Sequence, residues 1–386
     1  MDKVFIATGG TGGHIIPARC LAAQLAKENV AAFVLGDTKY RSYIKAEDKF
    51  SSIIITASQL VKSPIALVKA ALKISFGCVQ SLYYFLRYRP KCVVAFGGYA
   101  TFPILLAAIV TRTKIILHEQ NAHLGKVNRL FASRAYKIAL TFAQTSGISA
   151  QSQEKLVAVG NPVRDEIAQL HHEEYKMPIK AMLSKRDKMG YDVILTSEFA
   201  DLENPPQDES FNILIIGGSG GAKIFSEVLP KAFFNLGEDL KNSLHISQQC
   251  RRDLVEYTFD QYKKFNISIS IAAFFDDMPS QIKAAHLVIA RSGSSSIVEF
   301  CAAKKPMILI PFAKAADDHQ AKNAQIIEKA GAAIVVNEQD FTINKMSEVI
   351  KNLIKNKILL EKMSANAGQI ANLNATKNLV ELIKAC

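Results

Sequence analysis

The chain has 386 residues, of which 49% are hydrophobic and 21% charged, with 20 Gly and 12 Pro. This composition is typical of a globular protein and excludes a disordered, collagen-like or disulfide-stapled chain. The length exceeds that of one average domain, so we expect two domains of ordinary size. The six cysteines are scattered without a C-x-x-C pair, which favours a reducing compartment and argues against a structural zinc site.

The positive charge is concentrated in the first half of the chain. The net charge is +12, from 47 Lys/Arg and 35 Asp/Glu. Residues 1–160 hold 20 Lys/Arg against 7 Asp/Glu, a net of +13, whereas residues 161–386 hold 27 against 28, a net of −1. This asymmetry predicts an anionic partner for the first half only.

Strand-like and helical patterns alternate along the chain, which predicts parallel α/β sheets joined by short loops. The first half begins with VFIAT, a first strand rather than a signal peptide. Its further strands are predicted at AAFVLG, SIIIT, CVVAFG, KIILHE and KIALT, and those of the second half at NILIIGG, LHISQQ, ISISIAAF, LVIAR, PMILIPF and AAIVVN. Near the end of the chain, a break around residues 372–374 separates two helical patterns.

Residues 63–88, SPIALVKAALKISFGCVQSLYYFLRY, form one long predicted helix with two apolar stripes and basic flanks. We expect the first stripe to be a core face, made of Ile65, Val68, Leu72, Phe76, Val79, Tyr83 and Leu86. The second stripe then suits an anionic membrane surface, and it comprises Leu67, Ala71, Ile74, Cys78, Leu82 and Phe85. A helix buried on both sides is the alternative. Nucleic acid is disfavoured, because the aromatic residues lie on the apolar stripes and no binding motif is present.

The uncharged stretch between Lys91 and Arg112 is long enough to span a bilayer. Gly97, Gly98 and Pro103 interrupt it, however. We therefore interpret it as a buried strand, a loop and a short helix, TFPILLAAIV.

Two glycine-rich loops repeat the same strand–GGxGG–helix pattern, GGTGGH at residues 9–14 and GGSGGA at residues 217–222. Such loops let backbone N–H groups approach a phosphate at a helix N-terminus, although they also serve as simple tight turns. The dinucleotide fingerprint GxGxxG fails in both, because Ile15 and Lys223 stand at the third glycine position. The P-loop pattern fails as well. Asp37 lies where a ribose-binding acid would lie, so a dehydrogenase remains an alternative interpretation.

Further polar loops follow predicted strands, where a parallel sheet forms its ligand crevice. These loops are HEQN at 118–121, RSGSSSIVE at 291–299 and DDHQAKN at 317–323. The SGSSS run suits a phosphate and Glu299 a ribose, although helix capping and a solvated helix position are the simpler interpretations of each. Their joint placement favours a nucleotide-sugar site. Metal binding has little support, since no Asp-x-Asp or His-x-x-x-His spacing occurs.

Taken in order, GGTGGHIIPA, GGYATFP, HEQNAHLGKVNR, GNPVR, GGSGGAKIF, FFDDM, RSGSSSIVE and DDHQAKNA resemble the bacterial peptidoglycan glycosyltransferases that form lipid II. The resemblance implies a GT-B fold of two Rossmann-like parallel-sheet domains facing a cleft. The acceptor domain would span residues 1–161, completed by a C-terminal helix at about 368–386, and the UDP-GlcNAc domain residues 162–367. It also implies a peripheral enzyme on the cytoplasmic face of the bacterial inner membrane, without a cofactor.

The resemblance further implies an inverting transfer of GlcNAc from UDP-GlcNAc to the 4-hydroxyl of the muramyl sugar of polyprenyl-linked lipid I. The donor-binding positions carried over are Thr11, Gly12, Gly13, Asn121, Arg164, Ser219, Phe275, Ser294, Ser295, Ser296, Ile297, Val298, Glu299, Gln320 and Asn323. His14 is the predicted base, because an unperturbed imidazole has a pKa of ~6.5, which suits proton transfer at neutral pH; the alternative is that His14 only supports its loop. Other GT-B enzymes acting on UDP-GlcNAc, such as lipid glycosyltransferases or epimerases, and a non-catalytic binding protein remain alternatives.

This chain departs from the family in two respects. Ser294 and Ser296 replace the usual Ala and Thr, and both changes keep a small residue at the start of the predicted helix. The polar segment from His171 to Ser210 is longer than usual for the family, and no role is assigned to it.

Overall fold

A computed structural model describes residues 2–59, 63–177, 210–218 and 221–386 of the chain. Most of the long polar segment and Ser219 of the second glycine loop lie outside these residues. The chain divides into two compact units, residues 1–165 with 372–386, and residues 166–371.

The first unit is built on a seven-stranded parallel sheet with the order β3-β2-β1-β4-β5-β6-β7. Its strands are β1 (Lys3–Ala7), β2 (Ala31–Gly36), β3 (Ser51–Ile54), β4 (Cys92–Ala95), β5 (Lys114–Glu119), β6 (Lys137–Leu140) and β7 (Leu156–Ala158). Its helices are α1 (Gly12–Lys27), α2 (Pro64–Tyr88), α3 (Phe102–Val110), α4 (Lys126–Phe131) and α14 (Ala375–Lys384). The strand order reverses between β1 and β4, and ligands of open α/β sheets bind at the carboxyl ends of such a pair.

The second unit contains a six-stranded parallel sheet with the order β10-β9-β8-β11-β12-β13. Its strands are β8 (Phe211–Ile216), β9 (Leu244–Gln249), β10 (Ile269–Ala272), β11 (Leu287–Ala290), β12 (Met307–Leu309) and β13 (Ala333–Val335). Its helices are α5 (Asp165–Gln169, which begins on the last residue of the first unit), α6 (Lys223–Phe234), α7 (Glu238–Lys241), α8 (Val255–Lys264), α9 (Met278–Ala284), α10 (Ser294–Ala302), α11 (His319–Lys329), α12 (Ile343–Lys355) and α13 (Lys357–Ile370). Here the order reverses between β8 and β11, the strands that precede the second glycine loop and the SGSSS run.

The C-terminal helix α14 completes the core of the first unit. Leu379, Val380 and Ile383 are buried with apolar residues of α1, β1 and β4. The break before α14 is fixed by Asn372 and Asn378, whose side-chain amides both donate to the Val159 carbonyl at 3.0 and 3.2 Å. The predicted helix–break–helix pattern is thereby confirmed.

All twelve predicted strands are present, and their carboxyl ends carry the predicted loops. The stretch between Lys91 and Arg112 forms β4, a turn and the largely buried α3, so its interpretation as a strand–loop–helix unit is confirmed. Sequence analysis missed β7, an edge strand of three residues that is too short to show an alternating pattern.

Helix α2 confirms the predicted element but corrects the assignment of its faces. The seven residues expected to form a core face are between 57% and 72% exposed. The opposite face carries small residues, and Ala70, Gly77 and Ser81 are buried on it. A Cβ atom on Gly77 would lie 1.9 Å from the Thr56 carbonyl oxygen. The small-residue face therefore packs on the unit because it permits close backbone approach, and the bulky stripe faces outward.

Helix α2 also meets the length and composition expected of a membrane-spanning segment. Within residues 65–88, the most apolar 18-residue window has a mean hydropathy of 1.5, and 17% of that window is buried. Among the described residues it is the one helix of this kind, and length with composition is weak evidence for a span.

Candidate functional site

The first glycine loop joins β1 to α1 and holds His14 at the start of the helix. Thr11 is the N-cap residue of α1, and its Oγ1 lies 3.1 Å from His14 Nδ1. Gly98, in the loop after β4, approaches from the other side. A Cβ atom there would lie 3.0 Å from the Gly9 carbonyl and 3.5 Å from His14 Nδ1, at a φ of +81°. Glycine at this position therefore lets the loops after β1 and β4 meet beside the imidazole.

Asp37 ties these same two loops together. Its buried carboxylate accepts a 3.4 Å hydrogen bond from the Gly10 N–H and a second from the Tyr99 hydroxyl. Burial, with the neighbouring Asp37 carboxylate, raises the pKa of Tyr99 well above its ordinary value, so the phenol stays a donor. Because its oxygens are engaged by the loops themselves, Asp37 is a structural residue of this site and does not support the dehydrogenase interpretation.

The HEQN loop after β5 is organised by the buried carboxylate of Glu119. Oε1 accepts from the Asn121 N–H at 3.0 Å and from Asn121 Nδ2 at 3.2 Å. Oε2 accepts from the Gly125 N–H at 2.8 Å and from Asn128 Nδ2 at 2.9 Å. Burial raises the pKa of Glu119, against the opposing effect of these four hydrogen bonds. The predicted sugar-binding residue Asn121 is therefore held by both its backbone and its side chain.

His118, the first residue of that motif, is completely buried and neutral in character. Its Nε2 donates to the Gly160 carbonyl at 2.9 Å, and its Nδ1 accepts from Gln120 Nε2 at 2.9 Å. Burial lowers the pKa of His118 to about 4; the charge of His14 adds to this effect and the Gly160 hydrogen bond opposes it. His118 thus fixes the loop before Asn161 and Arg164 rather than exchanging a proton at neutral pH.

The remaining predicted residue of the first unit is Arg164. It is half-buried and lies one residue before the start of α5.

The second glycine loop follows β8 and leads into α6. A Cβ atom on Gly217 would lie 2.4 Å from the backbone nitrogen of Ala222, so the turn tolerates only glycine there. Gly218 has a φ of +80°. The predicted phosphate ligand Ser219 lies outside the described residues.

Helix α10 begins at the SGSSS run, and its first turn differs from an ordinary serine cap. The N-cap position is occupied by Gly293, so the serine hydroxyls are not the capping groups. Ser294 and Ile297 are buried, while Ser295, Ser296 and Val298 lie along the same nine-residue helix. Glu299 is 6% exposed, which contradicts its interpretation as a solvated helix residue.

Arg291, which precedes this run, is a buried cation shared between several loops. Its Nη1 donates to the Ile310 and Pro311 carbonyls at 3.2 and 3.3 Å, and its Nη2 donates to Glu338 Oε1 at 2.6 Å. The guanidinium carbon lies 5.2 Å from the ring centroid of Phe225 and 5.3 Å from that of Phe312.

Gln320 and Asn323 of α11 contact the residue after Arg291. The Ser292 hydroxyl donates to the Gln320 carbonyl at 2.9 Å, and Asn323 Nδ2 donates to the Ser292 carbonyl at 3.0 Å. Gln320 Oε1 accepts from the Phe312 N–H at 3.0 Å. Asn323 is completely buried, so the structure gives it a supporting contact behind the loop.

In the loop after β10, Phe275 is buried and its neighbour Phe274 is 60% exposed.

Each unit thus brings its own set of predicted residues to the carboxyl edge of its sheet. The first unit groups Thr11, Gly12, Gly13, His14 and Asn121 on loops after β1 and β5, and the second groups residues 294–299 with Gln320 and Asn323. Sequence reasoning missed the supporting roles of Glu119, Arg291 and Glu338. The first two lie inside recognised motifs and could have been found there, whereas Glu338 belongs to no motif.

Two parallel sheets, each with a glycine-rich loop at the strand pair where the order reverses, define a two-domain protein of Rossmann-like α/β units, the class that binds its ligands at such strand ends. Two family descriptions match the chain: the glycosyltransferase family 28 N-terminal domain over residues 4–140 and its C-terminal domain over residues 212–383. The chain belongs to glycosyltransferase family 28.

Full-length relatives support this membership. The UDP-N-acetylglucosamine–N-acetylmuramyl-(pentapeptide) pyrophosphoryl-undecaprenol N-acetylglucosamine transferase of Caulobacter vibrioides is 33% identical over 382 residues, covering 98% of this chain and 97% of that protein. The Rickettsia conorii protein of the same name is 35% identical over 374 residues, covering 95% of each chain.

Solved structures agree with the fold. The crystal structure of Acinetobacter baumannii MurG matches with a TM-score of 0.73 and 26% identity over the whole of both chains. UDP-GlcNAc 2-epimerase from Neisseria meningitidis matches with a TM-score of 0.65 and 16% identity over the whole of both chains, a likeness of fold alone.

Proposed function

We propose that this protein transfers GlcNAc from UDP-GlcNAc to the 4-hydroxyl of the N-acetylmuramyl sugar of polyprenyl-pyrophosphoryl lipid I, forming lipid II. The observation that carries the proposal is similarity over nearly the whole chain to transferases whose names state this reaction. The order of the motifs from the first glycine loop to DDHQAKNA supports it.

The donor would be held by groups of complementary chemistry. Glu299 binds the ribose hydroxyls, the Phe275 backbone reads the uracil, and Gln320 binds the sugar, with Asn323 in support. Arg164, Ser219 and the N-terminal turn of α10 meet the diphosphate, since a cation and the N–H groups of a helix start suit an anion. The further donor contacts proposed are Thr11, Gly12, Gly13, Asn121, Ser294, Ser295, Ser296, Ile297 and Val298.

The reaction is proposed to be a single inverting displacement. The acceptor oxygen attacks the anomeric carbon from the face opposite the α-linked UDP, so that a β-1,4 bond forms as the sugar–phosphate bond breaks. His14 takes the acceptor proton, and its hydrogen bond with Thr11 orients the imidazole. Preorganised donors around the leaving diphosphate contribute roughly 3–4 kcal/mol each where negative charge develops.

The role of His14 is tested by replacing it with alanine. Loss of a true base lowers kcat by about 10²–10⁴-fold with little change in UDP-GlcNAc affinity. The matched control is His172→Ala, because His172 is exposed and belongs to the other unit. A His14→Ala enzyme with near-normal turnover would show that the imidazole only supports its loop.

The outward stripe of α2 supports a peripheral location at an anionic membrane surface. The cytoplasmic face of the inner membrane is proposed because the family resemblance implies it. The stripe is bulky and apolar, and Lys69, Lys73, Arg87 and Arg89 lie on or next to the helix. Each basic residue near such a surface contributes about 1 kcal/mol. We expect flotation with phosphatidylglycerol vesicles that weakens as salt rises. Leu72→Gln should reduce it, and flotation that is absent or insensitive to salt would contradict the proposal.

The fold is also compatible with an epimerase that acts on UDP-GlcNAc. The reaction products distinguish an epimerase from a transferase. Incubated with UDP-GlcNAc and no acceptor, a transferase leaves the donor unchanged at C2. Accumulation of the C2 epimer of the donor would replace the proposed function with epimerisation.

A further inference from the structure

Arg291 connects several segments of the second unit through one side chain. It is 8% exposed, it donates to two carbonyls of the loop after β12, and it forms an ion pair with Glu338. Burying a guanidinium is costly unless its N–H groups donate hydrogen bonds to acceptors in a fixed geometry. Its backbone leads directly into the start of α10, so the same residue joins two adjacent loops at the carboxyl edge of the sheet.

Glu338 extends this connection through its second oxygen. Oε1 accepts from Arg291 and Oε2 accepts from the Ala313 N–H at 3.0 Å. Burial tends to raise the pKa of Glu338, but the Ala313 and Arg291 hydrogen bonds outweigh it and hold the pKa below its ordinary value. The carboxylate therefore stays ionised at neutral pH and fixes the loop after β12 at two points.

That loop in turn places a proposed sugar ligand. The Phe312 N–H donates a hydrogen bond to Gln320 Oε1, which fixes the orientation of the Gln320 side-chain amide. The Arg291 guanidinium also lies within 5.3 Å of the ring centroids of Phe312 and of Phe225, which belongs to the helix after the second glycine loop. The start of α10, the loop after β12 and Gln320 thus depend on one ion pair.

We propose that Arg291 and Glu338 form a positioning pair for the nucleoside-diphosphate sugar, which sets the relative placement of α10, the loop after β12 and Gln320. The inference rests on the proposed function, since that function assigns α10 and Gln320 to the donor. Neither side chain is itself a ligand in this account. Their removal weakens donor binding because the segments lose their common anchor.

The test compares Glu338→Gln, Arg291→Ala and Arg291→Lys in steady-state transfer. The amide introduced by Glu338→Gln offers one acceptor oxygen where two are used, so either Arg291 or Ala313 loses its partner. We expect the KM for UDP-GlcNAc to rise by about 10- to 100-fold, the scale of a misplacement of about 1 Å, while the KM for lipid I stays within about twofold. Arg291→Lys keeps the positive charge but loses the planar guanidinium that donates to several acceptors at once. Its KM for UDP-GlcNAc should therefore lie between those of wild type and Arg291→Ala. The double variant should lose little beyond the worse single one, because the two residues act as a unit.

A matched control is available in the first unit. Arg19 and Asp48 form a similarly buried two-bond pair at 2.6 and 2.7 Å. Asp48→Asn should lower thermal stability to a comparable degree and leave the donor KM within about twofold. A purely structural Arg291–Glu338 pair would give the same result as this control.

Calorimetric titration of UDP-GlcNAc into the same variants keeps the inference separate from the proposed function. Wild type that binds UDP-GlcNAc but does not transfer refutes the function, and the variants still test the pair by their affinity. If Glu338→Gln and Arg291→Lys fold and bind UDP-GlcNAc with wild-type affinity, the proposed positioning role is wrong. Should Arg291→Ala fail to fold, these two milder variants decide the matter alone.

Discussion

Replacing Glu119 with glutamine changes one atom of the group that organises the HEQN loop. In the native protein each carboxylate oxygen accepts two hydrogen bonds, from Asn121 on one side and from Gly125 and Asn128 on the other. The amide nitrogen of glutamine would face two donors in a site that is 2% exposed. Two buried donors would therefore lose their acceptor.

The expected loss of stability follows from that count. A buried donor without a partner costs about 1–3 kcal/mol, so two cost about 2–6 kcal/mol. A neutral amide is easier to bury than a carboxylate, which offsets part of this cost. We expect the free energy of unfolding to fall by about 2–4 kcal/mol. Because Asn121 loses its anchor, kcat/KM for transfer should fall by about 10²-fold.

Urea unfolding and steady-state transfer measure the two effects separately. The control is Glu154→Gln, because Glu154 is exposed in the same unit and its replacement should change the free energy of unfolding by less than about 0.5 kcal/mol. A Glu119→Gln protein as stable as this control, with unchanged kcat/KM, would refute the reasoning.

Two further predictions concern the same unit. Burial lowers the pKa of His118 from 6.5 to about 4, so the unfolded chain binds the proton first as pH falls; this residue should remove about 2 kcal/mol of stability between pH 7.5 and 5. Urea unfolding at both pH values should show that wild type loses about 2 kcal/mol more stability than His118→Asn when the pH falls from 7.5 to 5. The same loss in both proteins would contradict the prediction. Gly77→Ala gains about 1 kcal/mol of helix propensity but puts a Cβ atom against the Thr56 carbonyl, so thermal unfolding should show a net loss of about 1–2 kcal/mol. A stabilised variant would refute that contact.

Much of the fold could be predicted because the strands of a parallel sheet are continuous apolar runs bounded by glycine or polar loops. Within the described part of the chain, that local pattern placed every strand except β7, whose three residues give too short a pattern. It also placed the site loops, because loops after parallel strands meet at one edge of a sheet.

The orientation of α2 could not be predicted from apolar periodicity alone. Both stripes of the helix are apolar, and the choice between them depends on which face carries the small residues that permit close packing. Gly77 and Ser81 lie on that face, but the importance of Gly77 follows from the Thr56 backbone opposite it, which the helix sequence does not contain.

The supporting contacts of Arg291 were equally hidden, because they join residues far apart in the chain. Glu338 reaches Arg291 across 47 positions, and no spacing rule connects them. Glu119 was visible in the HEQN motif, yet its role depends on donors that the loop supplies only once it is folded.

The most direct test of the proposed function is transfer of labelled GlcNAc from UDP-GlcNAc to a lipid I analogue, with and without a chelator such as EDTA. The account predicts formation of a β-1,4-linked disaccharide lipid at the same rate in both conditions, because the diphosphate is stabilised by protein groups. Binding of UDP-GlcNAc without transfer, or transfer abolished by the chelator, would contradict it.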